Sequence, residues 1–356
     1  MIGKIRLFEI SAHPGEGRRT EVALLTQTKP TLIVFILTTI TIAVLVACSP
    51  AVDPTRTEEI TDEETVAASS SETQAVTPTE PPTDTEAPTS TATVTPTPDL
   101  RLDPEDWQEW PIIPTVSANA KAIFETGLEN GTDPAHFSKA GDCQNITTYF
   151  LSIFDDPDQY TLGPDYDYLQ EAIDHFAGSF SRESIATAGG MNVASVLSHY
   201  WANKDLCESG ESPLACELRL NNPSIVLISM EETWGSNNKV ENYEKYMRVI
   251  IETVIDSGAV PILATKADNL EGDHLINQAI ARLAYEYDIP LWNFWAAVQP
   301  LPGHGLLEDG FHLTHGLNDF SEARNLKQAW PIRNLTALQV IDAVWRQLND
   351  LPLSGN

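Results

Sequence analysis

Between Ser49 and Leu102 the chain has no aromatic residue and few large aliphatic ones, running as VTPTEPPTDTEAPTSTATVTPTPDL at its centre, so it has almost nothing to bury. This stretch divides the 356 residues into unequal parts, and the usual relation between length and domain number applies only to each part separately. Frequent proline favours extended polyproline-like backbone, and neighbouring acidic side chains repel one another. Residues 48–105 are therefore expected to form a disordered, semi-extended acidic Thr/Pro/Glu-rich linker. Trp107 and Trp110 mark the return of core-forming residues, and residues 106–356 are long enough to enclose one substantial core.

Upstream of the linker, TLIVFILTTITIAVLVA (residues 31–47) is uncharged and mainly apolar, and Lys4, Arg6, Arg18, Arg19 and Lys29 precede it. That charge order marks residues 1–47 as a secretory signal. The leader ahead of the apolar run is long, which a start codon placed too early would explain. The run ends at Leu45-Val46-Ala47-Cys48, which resembles the lipobox of bacterial lipoproteins. The resemblance implies cleavage before Cys48, lipid on its sulfur, and a location on the outer face of the bacterial cell membrane. A plain transmembrane anchor is the alternative, since 17 residues lie at the lower edge of what spans a bilayer. Both readings put the C-terminal part outside the cytoplasm.

The formal net charge of -30 disfavours nucleic acid and anionic lipid headgroups as partners. The linker holds 13 of the 51 acidic residues, and there the charge promotes solubility and extension. Outside the cytoplasm, Cys207 and Cys216, which bracket a short polar loop, read as a disulfide.

After residue 130, short apolar runs alternate with helix-period segments, the pattern of parallel strands joined by crossover helices. Strands are expected at Phe137 to Ala140, Ser224 to Met230, Val260 to Ala264 and Ile289 to Phe294. Helices are expected at Glu241 to Ser257, His274 to Tyr287 and Leu335 to Leu348. In such α/β folds ligands gather at the carboxyl ends of strands, so the loops after Ala140, Ala188, Met230, Ala264 and Phe294 are where chemistry is sought.

The first of these loops reads Gly141-Asp142-Cys143-Gln144 and is followed by a polar segment able to open a helix. A cysteine at a helix N-terminus is favoured as the thiolate. After the last strand comes Glu308-Asp309-Gly310-Phe311-His312, where a tight turn lets the Asp309 carboxylate hold the imidazole and leaves its other nitrogen as a base. Taken singly, each segment also reads as an ordinary turn.

Three blocks in order, FSKAGDCQ, IATAGGMN and EDGFHLTHG, resemble those of the SGNH (GDSL-like) hydrolases over most of residues 130–350. The resemblance implies a three-layer α/β/α sandwich with a mainly parallel sheet and ester hydrolysis, and the sequence offers no motif for a cofactor or metal. It casts Cys143 as nucleophile, His312 as base and Asp309 as its partner. The backbone N–H groups of Cys143 and of Gly189 or Gly190 would face the oxyanion. The chain departs from the family in two places. Cysteine stands where that family normally has serine, and the family's Gly-x-Asn-Asp block has no direct counterpart. Glu231-Glu232-Thr233-Trp234 follows the central strand, and only then Gly235-Ser236-Asn237-Asn238, in which Asn237 could supply the remaining oxyanion donor.

The implied substrate is an acylated glycan, a lipid or a small ester, handled by a monomer. The alternatives are a degenerate member of the fold that binds wall or surface glycan without turnover, and a purely structural surface module. His304, His312, His315 and Asp309 match no metal-ligand spacing, and no phosphate-binding glycine motif is present.

Overall fold

The structure, a computed structural model, describes residues 101–230 and 239–353. The apolar leader, Cys48, the linker up to residue 100, and the segment with Glu231, Glu232 and Asn237 lie outside the described residues.

Four parallel strands form one sheet: β1 (Asp133–Gly141), β2 (Pro223–Ser229), β3 (Val260–Ala264) and β4 (Leu291–Trp292), adjacent in that order. β2 is buried at every residue, as expected of a central parallel strand covered on both faces. On the far edge of β1, Gly141 forms a parallel bridge with Thr187 through Gly141 N–H to Ala186 O (3.0 Å) and Ala188 N–H to Gly141 O (3.3 Å). The spatial order is thus residues 186–188, β1, β2, β3, β4. The chain runs outward from β1 in both directions, the kind of reversal beside which α/β sheets bind ligands.

Helices α1 (Ala118–Glu129), α2 (Gln170–His175), α3 (Pro213–Asn221), α4 (Val240–Asp256), α5 (Leu275–Tyr287), α6 (Phe294–Val298) and α7 (Ala329–Leu348) complete the fold. Their buried stripes fall into two clusters. Phe137, Ile225, Leu227, Val260 and Ile262 of the sheet pack with α1, α2 and α7. Ala140, Val226, Ile228 and Leu263 point the other way and pack with α3, α4 and α5. This period-two alternation within the strands places helices on both sheet faces, an arrangement compatible with an α/β sandwich. In α4 the buried residues Tyr243, Met247, Ile250, Ile251 and Val254 keep helical spacing.

Three element boundaries differ from the sequence expectation: β1 begins at Asp133, four residues before Phe137, and the other two differ for local reasons. The last strand is confined to Leu291–Trp292 because Asn293 caps α6, its Oδ1 accepting Ala296 N–H at 3.2 Å. Helix α7 starts six residues before Leu335. Pro331 lies in its first turn, where no N–H partner is needed, and Thr314 receives the N–H groups of Ala329 and Trp330. The region around Thr187, which the motif reading treats as a strand end, contributes only its bridge to Gly141.

Cys207 and Cys216 are joined in a disulfide. Among the described residues, the one cluster with metal-ligand spacing is Cys207, Glu211 and Cys216, and its two sulfurs are those of the disulfide.

Lys139 of β1 is fully buried, its Nζ donating to Phe180 O (2.9 Å) and Thr147 Oγ1 (3.3 Å). Burial and then the Arg182 charge lower its pKa to about 7, and Glu217, Asp155 and Glu183 only partly offset them. Below pH 7 the amine is charged whether the chain is folded or not, so the penalty of a buried cation is present in full. Between about 7 and the unfolded value of 10.5 only the unfolded chain keeps the proton, and stability rises with pH. Urea titrations of wild type and Lys139→Met should therefore show the difference moving in favour of wild type between pH 7 and pH 10, by roughly 1–3 kcal/mol. A difference independent of pH would show that Lys139 is charged in the folded protein throughout.

Candidate active site

β1 ends in Gly141, and the chain turns at once. Asp142, 4 % exposed, caps a three-residue 3-10 turn, Cys143–Asn145, its carboxylate accepting Gln144 N–H at 2.9 Å. The turn does not grow into the helix expected from the sequence. Asn145 is drawn inward, its Nδ2 donating to Ser229 O at the end of β2 (2.7 Å), and Ile146 is extended. A turn this short has little macrodipole, so the helix-terminus effect expected at Cys143 is largely absent. Cys143 is the one described cysteine outside the disulfide and is half-buried.

Beneath the turn lies Arg333 of α7, fully buried. Its guanidinium donates to Ser229 Oγ (3.0 Å) and Asn145 Oδ1 (3.4 Å) and lies 4.7, 4.9 and 5.2 Å from the ring centres of Phe150, Phe294 and Trp292. This cation fixes the base of the turn through Asn145 and Ser229. No motif points to Arg333. The available signal was an arginine inside AWPIRNLTALQV, where most neighbours are apolar.

The second half of the site is a loop closed by an antiparallel bridge between Leu306 and Leu313 and by Leu307 N–H to His312 O at 2.8 Å. At its tip Gly310 has φ +70°, which glycine adopts without strain. Asp309 Oδ1 accepts the N–H groups of Phe311 and His312, both at 3.0 Å, and its Oδ2 lies 2.6 Å from His312 Nδ1. The hydrogen bond from His312, followed by those from the two backbone amides, holds the Asp309 pKa at about 2. With Nδ1–H given to that carboxylate, Nε2 is the ring nitrogen left to act as a base. Both side chains are exposed, His312 by 60 % and Asp309 by 49 %, so water screens the pair.

The two halves meet through Gln144, whose Nε2 donates to Phe311 O at 3.5 Å. The neighbour of Cys143 thus touches the neighbour of His312. Gly189 and Gly190 follow the bridge to Gly141 and are exposed, and a Cβ built on Gly189 would come 4.0 Å from Ile146 Cδ1. The structure therefore gathers the Cys143 turn, the Gly189-Gly190 loop and the Asp309–His312 pair at the carboxyl end of β1. His304 binds Gln299 O instead, at 3.0 Å. Comparison with family models, with curated proteins and with solved structures returned no match.

Gly141 has no room for a side chain: a Cβ there would come 2.0 Å from Asn145 Nδ2 and 2.3 Å from Ser229 O. Gly141→Ala should destabilise the fold by about 1–3 kcal/mol in urea denaturation and displace the Cys143 turn. An unchanged denaturation midpoint would mean that Asn145 is not locked against Ser229.

Proposed function

We propose that the chain is an SGNH-like acyl hydrolase in which Cys143 is the nucleophile, His312 the base and Asp309 the residue that orients it. The observation that carries this reading is the Asp309–His312 contact on a loop tied by Phe311 O to the residue after Cys143. The 186–188, β1, β2 order, with the turn at the carboxyl end of β1, also suits that family's three-layer α/β/α architecture. The motif order in the sequence adds to it.

In the first step His312 Nε2 takes the thiol proton of Cys143, and the sulfur forms a bond to the acyl carbon of an ester. The carbonyl oxygen becomes an oxyanion facing the N–H groups of Cys143 and of Gly189 or Gly190. As the tetrahedral adduct collapses, the C–O bond to the alcohol breaks and His312 returns the proton to that oxygen. Water, deprotonated by His312, then attacks the thioester, releasing the carboxylic acid and restoring the thiol. Asp309 remains a carboxylate throughout.

In the same proposal the chain is a lipoprotein held through Cys48 on the outer face of the membrane, with the acidic segment as its spacer. Among the described residues no helix is long and apolar enough to cross a membrane. The exposure of His312 and Asp309 favours a second reading, a fold of the same kind that binds surface glycan without turnover.

The test is to incubate the full chain with 4-nitrophenyl acetate, follow release of the phenol and examine Cys143 by mass spectrometry. Acetyl on Cys143, loss of turnover in Cys143→Ala and a fall of about a hundred- to ten-thousandfold in His312→Ala are expected. Turnover that persists in Cys143→Ala, or no adduct and no turnover at all, would contradict the hydrolase reading. Because Asp309 stays ionised down to about pH 2, any loss of rate above pH 4 belongs to other groups.

A further inference from the structure

Beside the two halves of the site lies a row of rings that the proposed chemistry does not use. Tyr149, six residues beyond Cys143, is 55 % exposed. Its ring centre lies 5.8 Å from that of Trp330, tilted by 38°, and His315 stacks on Trp330 at 6.5 Å and 24°. Backbone bonds set the row against the site. Tyr149 N–H and Phe150 N–H both bond Ile146 O in the turn that follows Cys143, and Trp330 N–H bonds Thr314 O, two residues beyond His312. Trp330 is half-buried against the larger core and His315 is exposed, so the row is open to solvent at its two ends, with Leu317 exposed nearby in sequence.

Tyr149 is one of several exposed aromatic residues, and what sets it apart is its ring contact with Trp330 and its place in the turn that follows Cys143. We propose that Tyr149, Trp330 and His315 form a stacking platform for a sugar ring, which makes the substrate an acylated glycan rather than an acylated lipid. This rests on the hydrolase reading only for the bond to be cut. The binding itself does not depend on it.

The choice among ligands follows from shape and charge. An alkyl chain gains from burial only where water is excluded around it, whereas Tyr149 and His315 are exposed. A pyranose presents an apolar C–H face that matches such rings, and its hydroxyls stay in water or meet the Tyr149 hydroxyl and the His315 ring nitrogens. Nucleobases also stack on exposed aromatics, but the phosphate backbone is repelled by a chain carrying a net charge of -30. With the ring on the platform, an ester on one of its hydroxyls would extend toward Cys143 and His312. The glycan would also supply the cover that the exposed Asp309–His312 pair lacks.

The test uses the full chain carrying Cys143→Ala, so that no ligand is consumed, titrated calorimetrically with O-acetylated xylotetraose. Saturable binding is expected, weakened about tenfold by Tyr149→Ala or by Trp330→Leu and retained by Tyr149→Phe. Because Tyr149 is exposed, Tyr149→Ala should keep the parent's melting temperature, which separates lost contact from lost fold. Absence of binding to the tetraose, or binding unchanged by Tyr149→Ala, would overturn the platform. Binding of short-chain phosphatidylcholine micelles that is lost in Tyr149→Ala, without tetraose binding, would overturn the sugar class. Acetyl on wild-type Cys143 from 4-nitrophenyl acetate with no tetraose binding would remove the platform and leave the hydrolase reading standing. Tyr149-dependent binding with no acetyl on Cys143 would do the reverse.

Discussion

The buried guanidinium of Arg333 holds the candidate site to the fold. A charge removed from water is unfavourable unless hydrogen bonds and polarisable neighbours replace its hydration. Here Ser229 Oγ, Asn145 Oδ1 and the faces of Phe150, Trp292 and Phe294 contribute to that replacement. The same contacts join helix α7 to the end of β2 and to the turn after β1. Asn145 reaches Ser229 O across the space where Gly141 has no side chain, so glycine, asparagine, serine and arginine form one interlocked set. The position of Cys143 follows from that set rather than from the dipole of a helix.

The topology explains why this set sits where it does. Residues 186–188 pair with one edge of β1 and β2 with the other, so the carboxyl end of β1 lies where the strand order reverses. Backbone groups and loops from three regions converge there: the Cys143 turn, the Gly189-Gly190 loop and the Asp309–His312 loop. α7 links the site to the larger core on one sheet face, since its first turn bonds Thr314 and its next carries Arg333.

Much of this was legible in the chain. Parallel strands buried on both faces read as continuous apolar runs, and SIVLISM and Val260 to Ala264 are seen within a residue of where they were expected. The three-residue spacing of Asp309 and His312 foretold their contact, because a tight turn leaves a carboxylate few other partners. What escaped the sequence depended on tertiary context. The arrest of the helix after Cys143 follows from a bond between Asn145 and β2, more than eighty residues away, and the early start of α7 follows from Thr314. Arg333 and the Tyr149–Trp330 contact pair residues distant in the chain, which no local period encodes.

The central claim is that His312 acts on the sulfur of Cys143. The most direct measurement is the rate at which iodoacetamide alkylates Cys143 in the full chain, read from the labelled peptide, for wild type and His312→Ala at pH 6 and pH 10. The account predicts that removing the imidazole slows alkylation at least about tenfold at pH 6, where the thiolate depends on a neighbouring base, and changes it little at pH 10. Equal rates for the two proteins at pH 6 would contradict it.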